Sequence, residues 1–261
     1  MLKKIIVFTG TFVLICSLSG LSGAAVVGPL DPVTNFPIYY KDDKGVSAAG
    51  PPPIGDGHKA PTNIFTPVAA GNPVSASTGF GAEFFYWLAK VDSRTFRTRS
   101  GKVEISFGLV ATYAGGTPQE GKQTVFSRVR FQALLPAPGT YILDHPYGTE
   151  SFNVTAEDVS LKKPINITRD LGAAGDFNAV NAQGGGVLKG FLVANTIAAN
   201  PDEWLGDGVT VSSVTGGPVR NFVKLIGPAG AKLDPVTNAN FIYTDLLIVS
   251  GHIWHHRTDR H

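Results

Sequence analysis

The sequence holds a single cysteine, Cys16, and a single methionine, Met1, both close to its first residue. Cys16 lies inside an apolar leader, so the mature chain is expected to have neither a disulfide nor a catalytic thiol. Charged residues are only 16% of the chain, too few for the solvated faces of a helical bundle. A net charge of +2 gives no electrostatic footprint for nucleic acid. Glutamate occurs only at positions 83, 104, 120, 150, 157 and 203, which restricts the acid/base pairs available. No G-x-S-x-G elbow, H-E-x-x-H pair, P-loop or G-x-G-x-x-G ahead of a helix occurs. Gly184-Gly185-Gly186 lacks the Lys-Ser/Thr of a phosphate cradle. No cofactor is implied.

What the chain does have is glycine (31), proline (18) and a hydrophobic fraction of 43%. That mixture suits short strands joined by tight turns. At 261 residues it can make one large sandwich or two small ones. The leader has a basic start (Lys3, Lys4), an apolar run over 5–18 and small residues over 19–25. This reads as a secretory signal peptide cleaved after Ala24 or Ala25. The run falls short of the ~20 residues of a membrane span, so no stable span is expected in the mature protein. Val13-Leu14-Ile15-Cys16 resembles a lipobox, but Ile15 stands where a small residue belongs.

The stretch TVFSRVRFQALLPAPGTYILDHPYGTESFNV, 124–154, organises the rest. Val125, Ser127, Val129, Phe131 and Ala133 alternate with Phe126, Arg128, Arg130 and Gln132, a period of two. Pro136, Pro138 and Gly139 turn the chain, and a second strand begins at Thr140. Strand, corner, strand is the unit of an antiparallel β-sandwich, jelly-roll or immunoglobulin-like. The expected divisions are a signal peptide over 1–25 and an irregular segment over 26–82 with one short strand near Phe36 to Tyr40. A first β half spans 83–170, a second 171–251, and a flexible His-rich tail 252–261. Further strands are expected over 84–87, 103–113, 159–161, 165–168, 187–197, 209–214, 222–226 and 240–253. Asn200 and Pro201 read as the cap and first residue of a helical turn through Leu205. Arg94, Arg97, Arg99 and Lys102 read as a charged hairpin edge. LDPVTN occurs twice, at 30–35 and 233–238, and reads as a reused turn; the alternative is two related halves.

Several residues could carry function. Trp87, Trp204 and Tyr147 could stack on sugar rings, although EFFYW around Trp87 also reads as a core strand. His252, His255 and His256 could bind a transition metal, or belong to a frayed tail. Asp42, Asp43, Asp56 and His58 read as solvated turn residues, with Ca²⁺ ligation as the alternative. Asp144, His145 and Glu150, or Asp202 and Glu203, are the acid/base candidates for a hydrolase. Neighbours on a strand point to opposite faces, so Asp144 is not expected to orient His145.

GPLDPVTNFPIYYKDDKG, EFFYW, PAPGTYILDHPYG and TDLLIVSG, in that order, resemble a set of secreted bacterial β-rich proteins with no established activity. The resemblance covers most of 28–251, and this chain departs from it in lacking a Cys-containing loop after the first motif. It implies export and a β-rich fold, and assigns no catalytic residue. The functional expectation is an exported, non-enzymatic β-sandwich protein of the cell surface or extracellular space. It would bind a glycan or other surface polymer, or assemble with itself through a sheet edge. A carbohydrate-binding module and an extracellular polymer hydrolase are the alternatives.

Overall fold

The computed structural model describes residues 24–50, 65–182, 186–197 and 203–255. Cys16 with its leader, the proline run at 51–53, Asp56, His58, Gly184, Gly185, Asn200, Pro201, Asp202, His256 and Asp259 lie outside the described residues. The segment expected to be irregular carries three short strands, β1 (Val26–Val27), β2 (Tyr39–Lys41) and β3 (Ser47–Ala49), paired antiparallel in that order. It also carries helix α1 (Pro73–Thr78), where the Asn72 side chain accepts the Ser75 N–H, proline opens the first turn and Gly79 closes it. Phe36 and Tyr40 are fully buried, so this segment is part of the core.

Next come β4 (Glu83–Val91), β5 (Arg97–Thr98), β6 (Gly101–Tyr113), β7 (Gln123–Ala133), β8 (Gly139–His145) and β9 (Gly148–Val154). Helix α2 (Ala156–Ser160) occupies the place expected of a strand at 159–161. Thr155 and Asp158 form a capping box there, and two orphan N–H groups satisfied locally outweigh one valine's β preference. β10 (Ile165–Leu171) and the single turn α3 (Ala179–Ala182) follow. The strand expected over 187–197 is instead a 3-10 turn at Val187–Lys189 and the two-residue β11 (Val193–Ala194). Trp204 and Leu205, expected in a helical turn, open β12 (Trp204–Thr215). After β13 (Val223–Ile226), the strand expected over 240–253 divides into β14 (Phe241–Thr244) and β15 (Leu246–His252).

Among the described residues all pairings of strands are antiparallel. An eight-stranded sheet runs β10-β7-β6-β4-β15-β12-β11, with β5 on β6, and a four-stranded sheet runs β14-β13-β8-β9. The corner at Pro136–Gly139 passes the chain from β7 in one sheet to β8 in the other. Gly139 has φ 133°, and a Cβ there would lie 2.9 Å from the Pro228 ring, so the corner needs glycine. The alternation of β7 holds: Val125, Ser127, Val129, Phe131 and Ala133 are buried, whereas Arg130 is exposed. In β4 it is broken by design of the strand. The register shifts between Phe85 and Trp87, so Tyr86 is an extra residue. Phe84 is buried before the bulge and Trp87, Ala89 and Val91 after it, and Tyr86 itself is buried. One bulge thus sends three neighbouring large rings into a core that strict alternation would have split.

That core is continuous between the sheets. Phe131 packs on Phe152 with centroids 5.3 Å apart, and Phe107 packs on Tyr147 at 5.2 Å. The boundary expected at 171 separates strands that share sheets: β15 pairs with β4, and β13 with β8. Among the described residues, no helix is long and apolar enough to cross a membrane.

Candidate functional site

Trp87 is fully buried. Its indole N–H donates to the Leu192 carbonyl at 2.9 Å, and its ring meets Phe191 and Tyr147. It is core, not a platform for sugar. Tyr147 is half-buried, with its hydroxyl donating to the Gly190 carbonyl at 3.0 Å. Its polar end is therefore fixed inside, and only part of the ring reaches the surface.

Trp204 differs. It is partly exposed at the start of β12 and pairs across the sheet with His252 of β15, the ring centroids 3.6 Å apart. Trp254 stacks on Tyr39 at 4.1 Å and 24°. The backbone holds this register: the Ile253 N–H donates to Glu203 O at 2.9 Å and the Trp254 N–H to Ser47 O at 3.0 Å. Tyr39 with Trp254 and His252 with Trp204 thus form a strip of two stacked pairs of partly exposed rings where the end of β15 meets β3. Sequence reasoning found Trp204 but not Tyr39 or Trp254, because their stacking depends on the pairing of β3 with the end of β15. His252 belongs to this strip rather than to a loose tail. His255 is exposed just beyond it.

A second region is a cleft of about 380 Å³ on the open flank where β10 and β9, each at a sheet edge, face one another. The Pro146-Tyr147 turn pairs His145 with Gly148, which sets Glu150 opposite Leu143 and diagonal to His145. His145 is buried, and its Nδ1 accepts the Tyr147 N–H at 3.3 Å, leaving the proton on Nε2. That Nε2 lies 3.8 Å from Glu150 Oε1, and Glu150 is 3.4 Å from the Arg169 guanidinium. Burial, and after it the Arg220 guanidinium, pull the imidazole down to about 4, so it is neutral near pH 7. Ser127 lies deep in the cleft, its Oγ accepting the Val187 N–H at 3.0 Å, and Val129 and Leu171 supply apolar wall. Ser127, Arg169 and Leu171 come from strands remote in sequence and carry no local signal of this role.

Asp144 points the other way, as alternation requires. It accepts the Thr149 hydroxyl at 2.6 Å and lies 3.4 Å from Arg220. The structure therefore joins His145 with Glu150 and leaves Asp144 on the opposite face. Glu203 is exposed. Asp42, expected to be solvated, is buried, and accepts backbone N–H groups of Lys44, Val46 and Phe191. Asp43 accepts from Lys189 Nζ at 2.9 Å. Both are structural turn residues. Among the described residues, no three His, Cys, Asp or Glu side chains converge as a metal site. No family model, no curated protein and no solved structure matches this chain.

Proposed function

We propose that the protein is an exported β-sandwich that acts at the cell surface or in the extracellular space as a carbohydrate-binding component. The observation that carries the reading is the strip of two stacked ring pairs, Tyr39–Trp254 and His252–Trp204, partly exposed, while Trp87 is sealed in the core. The accessible parts of Trp and Tyr rings suit the C–H groups of sugar rings, and Trp and Tyr add a polar edge for hydroxyls. Export is supported by the basic and apolar leader. The sandwich is supported by ring contacts that link the eight-stranded to the four-stranded sheet. Binding is favoured over hydrolysis because Asp144 and Glu150 leave their hairpin on opposite faces, which removes the nearest carboxylate pair. Co-sedimentation with insoluble cellulose, chitin and peptidoglycan tests the reading. At least one is expected to retain the protein, and Trp204→Ala or Trp254→Ala is expected to weaken retention about tenfold. Retention by none, or retention unaffected by both variants, would overturn it.

A second reading, self-assembly by strand addition, is favoured by β14. It is a sheet edge that exposes Phe241 and Tyr243. Concentration-dependent scattering that disappears in Tyr243→Lys would support that reading.

A further inference from the structure

The flank cleft is separate from the aromatic strip, and its chemistry is specific. Its charges cancel, since the Arg169 guanidinium faces the Glu150 carboxylate and His145 is neutral. His145 is 3% exposed, and among the described residues its Nε2–H has no acceptor within hydrogen-bond reach. A fixed donor and a fixed acceptor therefore stand 3.8 Å apart at the bottom of an open cleft. A hydroxyl is the neutral group that can accept from one and donate to the other. An oxygen about 2.8 Å from each closes a triangle over that gap. Val129 and Leu171 offer apolar surface for C–H groups. A volume of about 380 Å³ falls in the range of small-ligand sites.

We infer that this cleft binds one sugar ring or a comparable neutral polyol, with a ligand hydroxyl bridging His145 Nε2 and the Glu150 carboxylate. Ligands of the strip and the cleft differ: the strip suits the length of a polymer, the cleft a single residue such as a chain end. The inference does not rest on the strip.

Saturation-transfer NMR of the full chain with methyl α-glucoside, methyl β-galactoside and methyl α-mannoside tests it. At least one glycoside is expected to receive saturation and to shift the His145 ring nitrogen resonances. Glu150→Ala and His145→Phe are each expected to weaken that binding about tenfold. Trp204→Ala and Trp254→Ala are expected to leave it unchanged. No transfer to any of the three glycosides would overturn the inference. So would binding undiminished in Glu150→Ala, or a bound glycoside that leaves the His145 resonances in place. The resonance shift is read on the native chain, so the test survives if His145→Phe does not fold. Loss of binding in the tryptophan variants would assign the sugar to the strip and overturn the cleft site. Failure of the strip alone shows as unaltered polysaccharide retention and leaves this result standing.

Discussion

Asn35 and Asn238 hold the same position in two copies of one turn, at φ 56° and 59°. In the first copy Asp31 Oδ1 accepts the N–H groups of Val33 and Thr34 at 3.0 and 2.7 Å. In the second Asp234 Oδ1 accepts those of Val236 and Thr237 at 2.7 and 2.9 Å. The Asn35 N–H returns to Asp31 O at 2.9 Å, and the Asn238 N–H to Asp234 O at 3.1 Å. LDPVTN therefore encodes its turn locally. The copies lead into β2 and β14, strands of different sheets.

The two turns share geometry but not surroundings, and their stabilities should separate accordingly. Asp31 and Thr34 are buried, whereas Val236 and Thr237 are exposed. Asp31→Ala strands the buried Thr34 N–H away from water and is expected to cost about 2–3 kcal/mol. Asp234→Ala leaves its N–H groups to water and should cost about 1 kcal/mol or less. Urea midpoints of the two variants check this, and equal losses would contradict it.

Gly139 offers a test of the corner between sheets. Its φ of 133° is costly for any L side chain, and a Cβ would press on Pro228 at 2.9 Å. Gly139→Ala is expected to destabilise by about 1–3 kcal/mol. The β7 and β8 amide resonances should shift more than those of β12. A neutral substitution would mean that the corner relaxes freely.

Much of this architecture was legible in the sequence because it is local. The period of two in β7, the inward turn of His145 against the outward turn of Asp144, and the LDPVTN turn all follow from neighbouring residues. The bulge at Tyr86 was not legible, since its signal is the register of β4 on β6. The division of 240–253 at Asp245 likewise depends on which sheet each half joins. At the sites, Glu150 follows from counting round the Pro146-Tyr147 turn. Arg169, Ser127, Tyr39 and Trp254 meet their partners only through long-range pairing, which a single sequence does not encode by pattern.

His145 should give stability a pH dependence in mildly acid solution. Its folded-state value is drawn down to about 4, below the ordinary 6.5. Between those values the unfolded chain binds the proton and the folded chain resists it. The contribution is thus fully present above about pH 6.5 and is lost as the pH falls towards 4, on the order of 3 kcal/mol in all. His145→Gln removes that titration, so its stability should vary less over the same window. Parallel pH profiles of native and variant chains would contradict the assignment.

Asp42 ties the turn between β2 and β3 to the 187–192 segment, and its amide variant isolates that tie. Oδ1 accepts the Lys44 and Val46 N–H groups at 2.9 and 2.8 Å, and Oδ2 accepts the Phe191 N–H at 2.6 Å. Asp42→Asn can keep the first two bonds through its carbonyl oxygen. Its NH₂ then faces the Phe191 N–H, donor against donor, in a buried place. The lost bond and stranded donor should cost about 2–3 kcal/mol, although desolvation of the carboxylate, which raises the Asp42 pKa, is relieved and offsets part of this. Hydrogen exchange distinguishes the outcomes. The Phe191 amide should exchange faster in Asp42→Asn, while the Val46 amide stays protected. Equal acceleration of both would mean that the whole turn opens, and that Asp42 holds its own loop rather than the 187–192 segment.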